Sequence, residues 1–158
     1  MTSEMKQQFT LRISQANATE LVVILYEMLL QYVEEAGEAI RQQDKQTFTE
    51  SINRARGCLS ELLQSVNPQY EIGRNLNQLY FFCIRRLANS RYHMEEKPLA
   101  EIEKVIRPLL EAYREVSARN PAGPVMENSQ SVYVGLTYGR HTLTENMADQ
   151  CPNRGMFA

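Results

Sequence analysis

Histidine and cysteine are both scarce in this 158-residue chain, at two and three residues. A di-metal site in a helical protein needs two Glu-x-x-His pairs on facing helices. Here Ser90 and Tyr138 stand three residues upstream of His93 and His141, so the ligands are missing. His93 precedes Met94, Glu95, Glu96, Lys97 and Pro98 at a helix end, which does not suit a phosphotransfer histidine. The cysteines, Cys58, Cys83 and Cys151, are odd in number and form no Cys-x-x-Cys pair. That predicts reduced thiols in a cytosolic protein and no disulfide framework. Cys58 and Cys83 fall on or beside apolar stripes, as small core hydrophobes and not nucleophiles. No Gly-rich phosphate loop and no nucleophile elbow occurs. The expectation is a protein with no enzymatic activity, no metal and no cofactor.

Long apolar runs are also missing. The longest is Leu21 to Tyr26, whereas a membrane span needs roughly 20 residues, so no membrane insertion is expected. The first ten residues, MTSEMKQQFT, lack the apolar core of a secretory signal. A cytoplasmic location follows as an expectation. The formal net charge is −2, which gives no field strong enough to draw the chain onto nucleic acid. What is present is ordinary globular composition, 43% hydrophobic and 23% charged. A chain of this length can bury roughly 70% of its unfolded surface without staples.

Glycine and proline divide the chain unevenly. Residues 1–118 hold three of each, and residues 119–158 hold four Gly and three Pro. The breaker cluster Asn120-Pro121-Ala122-Gly123-Pro124 sets the boundary. Residues 1–118 are expected to form a helical domain that includes an N-terminal flap over 1–16. Residues 119–158 are expected to form an irregular C-terminal tail.

Four helices read from periodicity. The first spans 18–42, capped by Asn17 and answered by Glu20, with Leu21, Leu25, Met28, Leu29, Tyr32, Ala36 and Ala39 on one stripe. The second spans 45–66 behind Asp44, with Phe48, Ile52, Ala55, Leu59, Leu62 and Val66 as a regular seam. The third opens at Asn67-Pro68 and reaches residue 94, with Ile72, Leu76, Leu79, Tyr80, Cys83 and Leu87 on its core face. The fourth opens at Pro98 and reaches residue 118, through Leu99, Ile102, Val105, Ile106, Leu109, Tyr113 and Val116. Pro108 lies inside it and should kink it. Short connections between long helices predict antiparallel neighbours, hence an all-α, antiparallel four-helix bundle.

Two helices carry more apolar surface than such a bundle uses. On the first, Val22, Tyr26, Leu30 and Val33 widen the stripe to roughly 220° of arc. Either an N-terminal segment buries the surplus, or a partner does. Phe9, Leu11 and Ile13 just upstream could form a strand-like or helical flap over it. On the third helix, Phe81 and Phe82 lie off the core stripe, as either covered residues or a partner site. Arg85, Arg86 and Arg91 follow, and suit a solvated face or a helix C-terminus better than a nucleic-acid patch. In the tail, Val132, Tyr133, Leu136 and Tyr138 either belong to a flexible appendage or dock on the bundle.

A family pattern runs through these segments. Its parts are Leu11 and Ile13, then Asn17-Ala18-Thr19-Glu20-Leu21-Val22 and Leu25-Tyr26-Glu27. Asn75-Leu76, Leu79-Tyr80, Ile84-Arg85-Arg86-Leu87 and Leu109-Leu110-Glu111-Ala112-Tyr113 follow in order. Over residues 9–118 the chain resembles the FliS family of bacterial flagellar secretion chaperones. The family often reads Ser-Pro-Glu-Glu-Leu at the helix start near residue 17, and Pro108 and the tail are further departures. The resemblance implies a cytosolic chaperone that binds the C-terminal segment of flagellin, prevents premature polymerisation and assists delivery to the flagellar export gate. Val22, Tyr26, Phe81 and Phe82 then become candidate apolar contacts. Arg85 and Arg86 become candidate anchors for acidic or backbone groups of the client, and Leu11 and Ile13 a displaceable cover. The competing expectation is a non-enzymatic adaptor, or a module that self-associates as a homo-oligomer when free.

Overall fold

Five helices make up the computed structural model, which describes residues 1–120 and 122–125. They are α1 (Ser3–Gln15), α2 (Ala18–Arg41), α3 (Lys45–Ser65), α4 (Glu71–His93) and α5 (Lys97–Arg119). No strand occurs among the described residues, and the chain there is all-α.

Side-chain chemistry fixes where the helices begin. The Asn17 side chain accepts the Glu20 amide at 2.8 Å, and a Glu20 carboxylate oxygen accepts the Asn17 amide at 3.0 Å. This reciprocal box starts α2 at Ala18. The Asp44 carboxylate accepts the amides of Gln46 and Thr47, which starts α3. Each cap satisfies amide groups that would otherwise lack a partner, and contributes about 1 kcal/mol. The turns before α3 and α5 each place one non-glycine residue in the left-handed region, Gln43 at φ 58° and Met94 at φ 53°.

α2 packs on α3 and on α5, and α4 packs on the same two helices. Between them lies one apolar core in which Tyr26, Leu29, Leu59, Leu62, Tyr80, Cys83, Ile102 and Ile106 are fully or almost fully buried. At its centre the hydroxyls of Tyr26 and Tyr80 hydrogen-bond each other, and the Tyr113 ring meets Tyr26 edge-on at 5.5 Å. Burial raises the Tyr26 phenol well above its ordinary range and pushes Tyr80 up to about 12, so both stay neutral.

Several expectations change in detail. α4 begins at Glu71, not at Pro68. The Asn67 side chain accepts the Gln69 amide at 2.9 Å and holds Pro68 in a turn. The Asn67 carbonyl then comes so close to Gly73 that a Cβ there would lie 1.9 Å from its oxygen. α5 is continuous through Pro108, which is exposed, so water can reach the Lys104 carbonyl that loses its amide partner. Ile72, Leu79 and Val116, expected in the core, are exposed, while Val23 and Ile24 are buried beyond the expected stripe. The N-terminal segment, read as strand-like or helical, is helical. After α5 the chain returns to the start of α2, where the Val125 amide donates to the Ala16 carbonyl at 3.0 Å. Val132, Tyr133, Leu136, Tyr138 and Cys151 lie outside the described residues.

Two pairs of substitutions test this account. Gly57 is exposed inside α3 with nothing within 4 Å of a Cβ, so Gly57→Ala should raise stability by up to about 1 kcal/mol. Gly73→Ala should lower it by about 2 kcal/mol or more, because backbone must move. Urea unfolding followed by circular dichroism measures both. Tyr26→Phe should cost about 1–3 kcal/mol by stranding the Tyr80 hydroxyl. Adding Tyr80→Phe should recover most of that loss in the same assay, which a purely steric role for the two rings would not allow.

Candidate functional site

A strip of apolar side chains runs along the outer edge of the α4/α5 seam. Arg86 Nε lies 3.1 Å from a Glu101 carboxylate oxygen and sets the register of the two helices. Successive turns back along α4 bring Phe82, Leu79 and Ile72 to the same edge. Successive turns forward along α5 bring Val105, Leu109 and Val116. Ile72 is 70% exposed, Leu79 36% and Val116 54%. Phe82, Val105 and Leu109 are half-buried against the core, so the strip has an anchored floor and an open rim. The Arg86 guanidinium stacks over the Phe82 ring at 5.0 Å. Its ion pair with Glu101 lies off the N–H direction, so Nε makes no hydrogen bond within the chain.

The candidate residues do not form one patch. Phe82 and Arg86 sit together at the end of the strip. Phe81 is 52% exposed but points about 100° around α4 from Phe82, away from the seam. Arg85 is exposed on the outer side of α4. Val22 is half-buried against the core. Tyr26 is corrected from a contact to a core residue, because it is wholly buried and cannot touch a partner unless the helices part. Leu11 is also corrected. It is 59% exposed on the outer face of α1 and covers nothing, whereas Ile13 and Phe9 are partly buried.

α1 rests mainly on α2 and has no fully buried residue. Phe9 and Ile13, with Met28, Tyr32 and Arg54 opposite, line a solvent-open cleft of about 360 Å³ beside it. A second open cleft of about 500 Å³ lies where α1 and α2 meet α5, with Ala16, Val23 and Ile24 in its lining. A helix flanked by clefts on two sides and with no fully buried residue is held by few contacts. The polar hold runs through two carboxylates of α2: Glu27 accepts from Arg12 of α1 and, at 2.8 Å, from Arg114 of α5, and Glu35 pairs with the Met1 amino group just ahead of α1. Sequence periodicity gave no sign of this role, since Glu27 reads as one more solvated residue. Burial alone would raise the Glu27 carboxyl. The two guanidiniums outweigh it and hold the group below the usual carboxylate range.

Covalent and metal chemistry find little support here. Burial pushes the Cys58 thiol up to about 11 and the Cys83 thiol up to about 12, so neither is a ready thiolate. Among the described residues no cluster of His, Cys, Asp or Glu is arranged to hold a metal, and no helix is long and apolar enough to cross a membrane.

The Glu27 clamp has a signed pH dependence. A carboxyl whose pKa is lowered on folding contributes stability above its unfolded value, near 4.3, and loses it as pH falls through the lower folded value. The protection of α1 amides from hydrogen–deuterium exchange, taken relative to the intrinsic rate at each pH, should therefore fall selectively below about pH 4. At neutral pH, Glu27→Gln should increase α1 opening roughly tenfold, about 1.4 kcal/mol, with α3 and α4 protection unchanged. Uniform acceleration across all helices would show that the clamp supports the whole fold.

Known proteins match the same region. The model of the family described as flagellar protein FliS matches residues 1–120. The flagellar secretion chaperone FliS of Bacillus subtilis (strain 168) is 24% identical over 103 residues, which cover 65% of this chain and 77% of that protein. The flagellar secretion chaperone FliS of Campylobacter jejuni subsp. jejuni serotype O:6 (strain 81116 / NCTC 11828) is 29% identical over 99 residues, covering 61% and 77%. With the family match spanning all five helices, the chain belongs to the FliS family.

Proposed function

We propose that this protein is a cytosolic, non-enzymatic flagellar secretion chaperone that binds the C-terminal segment of flagellin, keeps it from polymerising early and assists its delivery to the export gate. The observation that carries the reading is the α4/α5 strip with Ile72, Leu79 and Val116 left open to solvent. A soluble protein seldom leaves such residues in a continuous row unless something occupies it. An amphipathic client helix, with apolar residues three and four apart, matches a row of this length and spacing. The names of the two relatives agree with this class of function.

On this reading α2 to α5 act as an antiparallel four-helix bundle, residues 1–118 are the chaperone domain, and 119–158 form a separate tail. Phe82, stacked under Arg86, closes one end of the strip. Arg86 and Arg85 offer donors to acidic side chains or free carbonyls of the client, and Phe81 serves a client that continues around α4. α1, with Ile13 on its inner face, is the displaceable cover of the α2 surface near Val22 and Met28. A client that wraps from the strip onto α2 would order as it binds and bury a large apolar area.

Calorimetric titration of the full chain with the C-terminal segment of flagellin from the same cell tests this reading. Binding should carry a large negative heat-capacity change. Ile72→Ser combined with Leu79→Ser should weaken it about tenfold or more, since each change removes roughly 1 kcal/mol of apolar burial. The unfolding midpoint should fall only modestly, because Ile72 is 70% exposed and the partly buried Leu79 accounts for the loss; Ile72→Ser alone should leave it unchanged. Undiminished affinity in that variant would place the client elsewhere and remove the strip from the proposal.

A further inference from the structure

Two residues join α1 to α2. Ala16 and Asn17 are extended, with ψ of 140° and 175°, so a swing of α1 against α2 is taken up by their dihedrals. Both are buried, although α1 itself has no buried residue. The joint is thus better enclosed than the helix it carries.

The chain that follows α5 is bonded to this joint. The Val125 amide donates to the Ala16 carbonyl at 3.0 Å. The Asn17 Nδ2 donates to the Ala122 carbonyl at 3.1 Å, across 105 residues of sequence, while Asn17 Oδ1 accepts the Glu20 amide. Asn120 braces the same segment. Its Nδ2 donates to Thr19 Oγ1 and its Oδ1 accepts the Ala122 amide, both at 3.1 Å. Asn17 is therefore a helix cap and a clasp at once. A cap needs only the oxygen, which Ser or Asp would also supply. The amide nitrogen serves the clasp.

Geometry decides what these bonds do. One lies on the carbonyl of the Ala16–Asn17 peptide plane, the other on the side chain that follows it. Lifting α1 by turning that plane carries the Ala16 carbonyl away from Val125. The Val125 side chain is 59% exposed, so the hold comes through its amide. We infer that residues 122–125 latch the α1–α2 joint, so that the C-terminal side of the chain sets how often α1 opens. Its consequence for client access rests on the reading of α1 as a cover, and the latch itself does not.

Hydrogen–deuterium exchange of the full chain without client tests the latch. Val125→Pro removes the amide donor and should raise α1 opening about fivefold, the effect of one hydrogen bond. Val125→Ala keeps the donor and should exchange as wild type. Asn17→Ser keeps the capping oxygen, drops the donor to Ala122 and should match Val125→Pro, with protection of the first turn of α2 retained. Protection of α3 and α4 should stay at the wild-type level in all three. Wild-type exchange of α1 in either Val125→Pro or Asn17→Ser overturns the inference. So does equal acceleration in Val125→Ala, or acceleration spread over every helix. Titration of Val125→Pro with the flagellin segment then separates the two readings. Affinity that rises with α1 opening supports both. Faster α1 opening with unchanged affinity keeps the latch and removes α1 as the cover of the client site.

Discussion

The structure depends on covering α2. Its apolar arc is wider than one or two antiparallel neighbours can hide, and uncovered apolar surface loses roughly 25 cal/mol for each Å² left in water. α3 takes one side of it, α5 another, and α1 lies across part of what remains. Tyr26 and Val33, which look surplus on a helical projection, end up buried because α2 is the helix that the others surround. Once α2 is enclosed, α4 can only close the remaining side of the core. Its outer edge beside α5 then has no neighbour. The open strip of Ile72, Leu79 and Val116 is therefore a consequence of spending the available helices on α2.

Much of this was legible in the sequence. Asn17 with Glu20, and Asp44, mark helix starts because their side-chain oxygens fit specific free amides, which is local chemistry. The four long helices, their order and the α2 surplus follow from periodicity. The strip does not. Ile72, Leu79 and Val116 share nearly the phase of true core residues, and phase gives a direction around a helix, not the depth to which a neighbour reaches. Ile72 lies at the beginning of α4 and Val116 near the end of α5, on the flank where no third helix arrives. Pro68 misled for a related reason. Proline suits a helix start, but the Asn67 side chain holds this one in a turn, and only the close approach to Gly73 explains why the helix begins later. Glu27 could not be found at all, because its meaning comes from two arginines 15 residues upstream and 87 residues downstream.

The core carries one polar feature that a purely apolar design would omit. The Tyr26 and Tyr80 hydroxyls satisfy each other where no water reaches. Such a pair adds little net stability, yet it fixes α2 against α4 in one register, since a shift by one turn would strand both groups. That matters for a surface built from two helices. The strip keeps its shape only while α4 holds its position relative to α5, and Arg86–Glu101 supplies the second point of alignment at the far end. A rigid seam and a loosely seated α1 thus coexist in one small fold.

The looseness of α1 has a quantitative consequence on the proposed reading. A 13-residue helix is at the limit of what holds together alone, so α1 depends on the surface beneath it. If that surface is a client site, the apparent client affinity is the intrinsic one multiplied by the fraction of molecules with α1 lifted. A cover held by about 2 kcal/mol is open in a few per cent of molecules and weakens binding about thirtyfold. One held by about 5 kcal/mol would weaken it several-thousandfold and defeat the purpose. Larger side chains across the cleft lined by Phe9 and Ile13 would move the balance toward the second case. The open clefts and the small number of ion pairs, at Glu27 and Glu35, are what keep α1 within the first. Shielding of the empty chaperone and access for the client are set by the same few contacts, and neither can be improved without loss of the other.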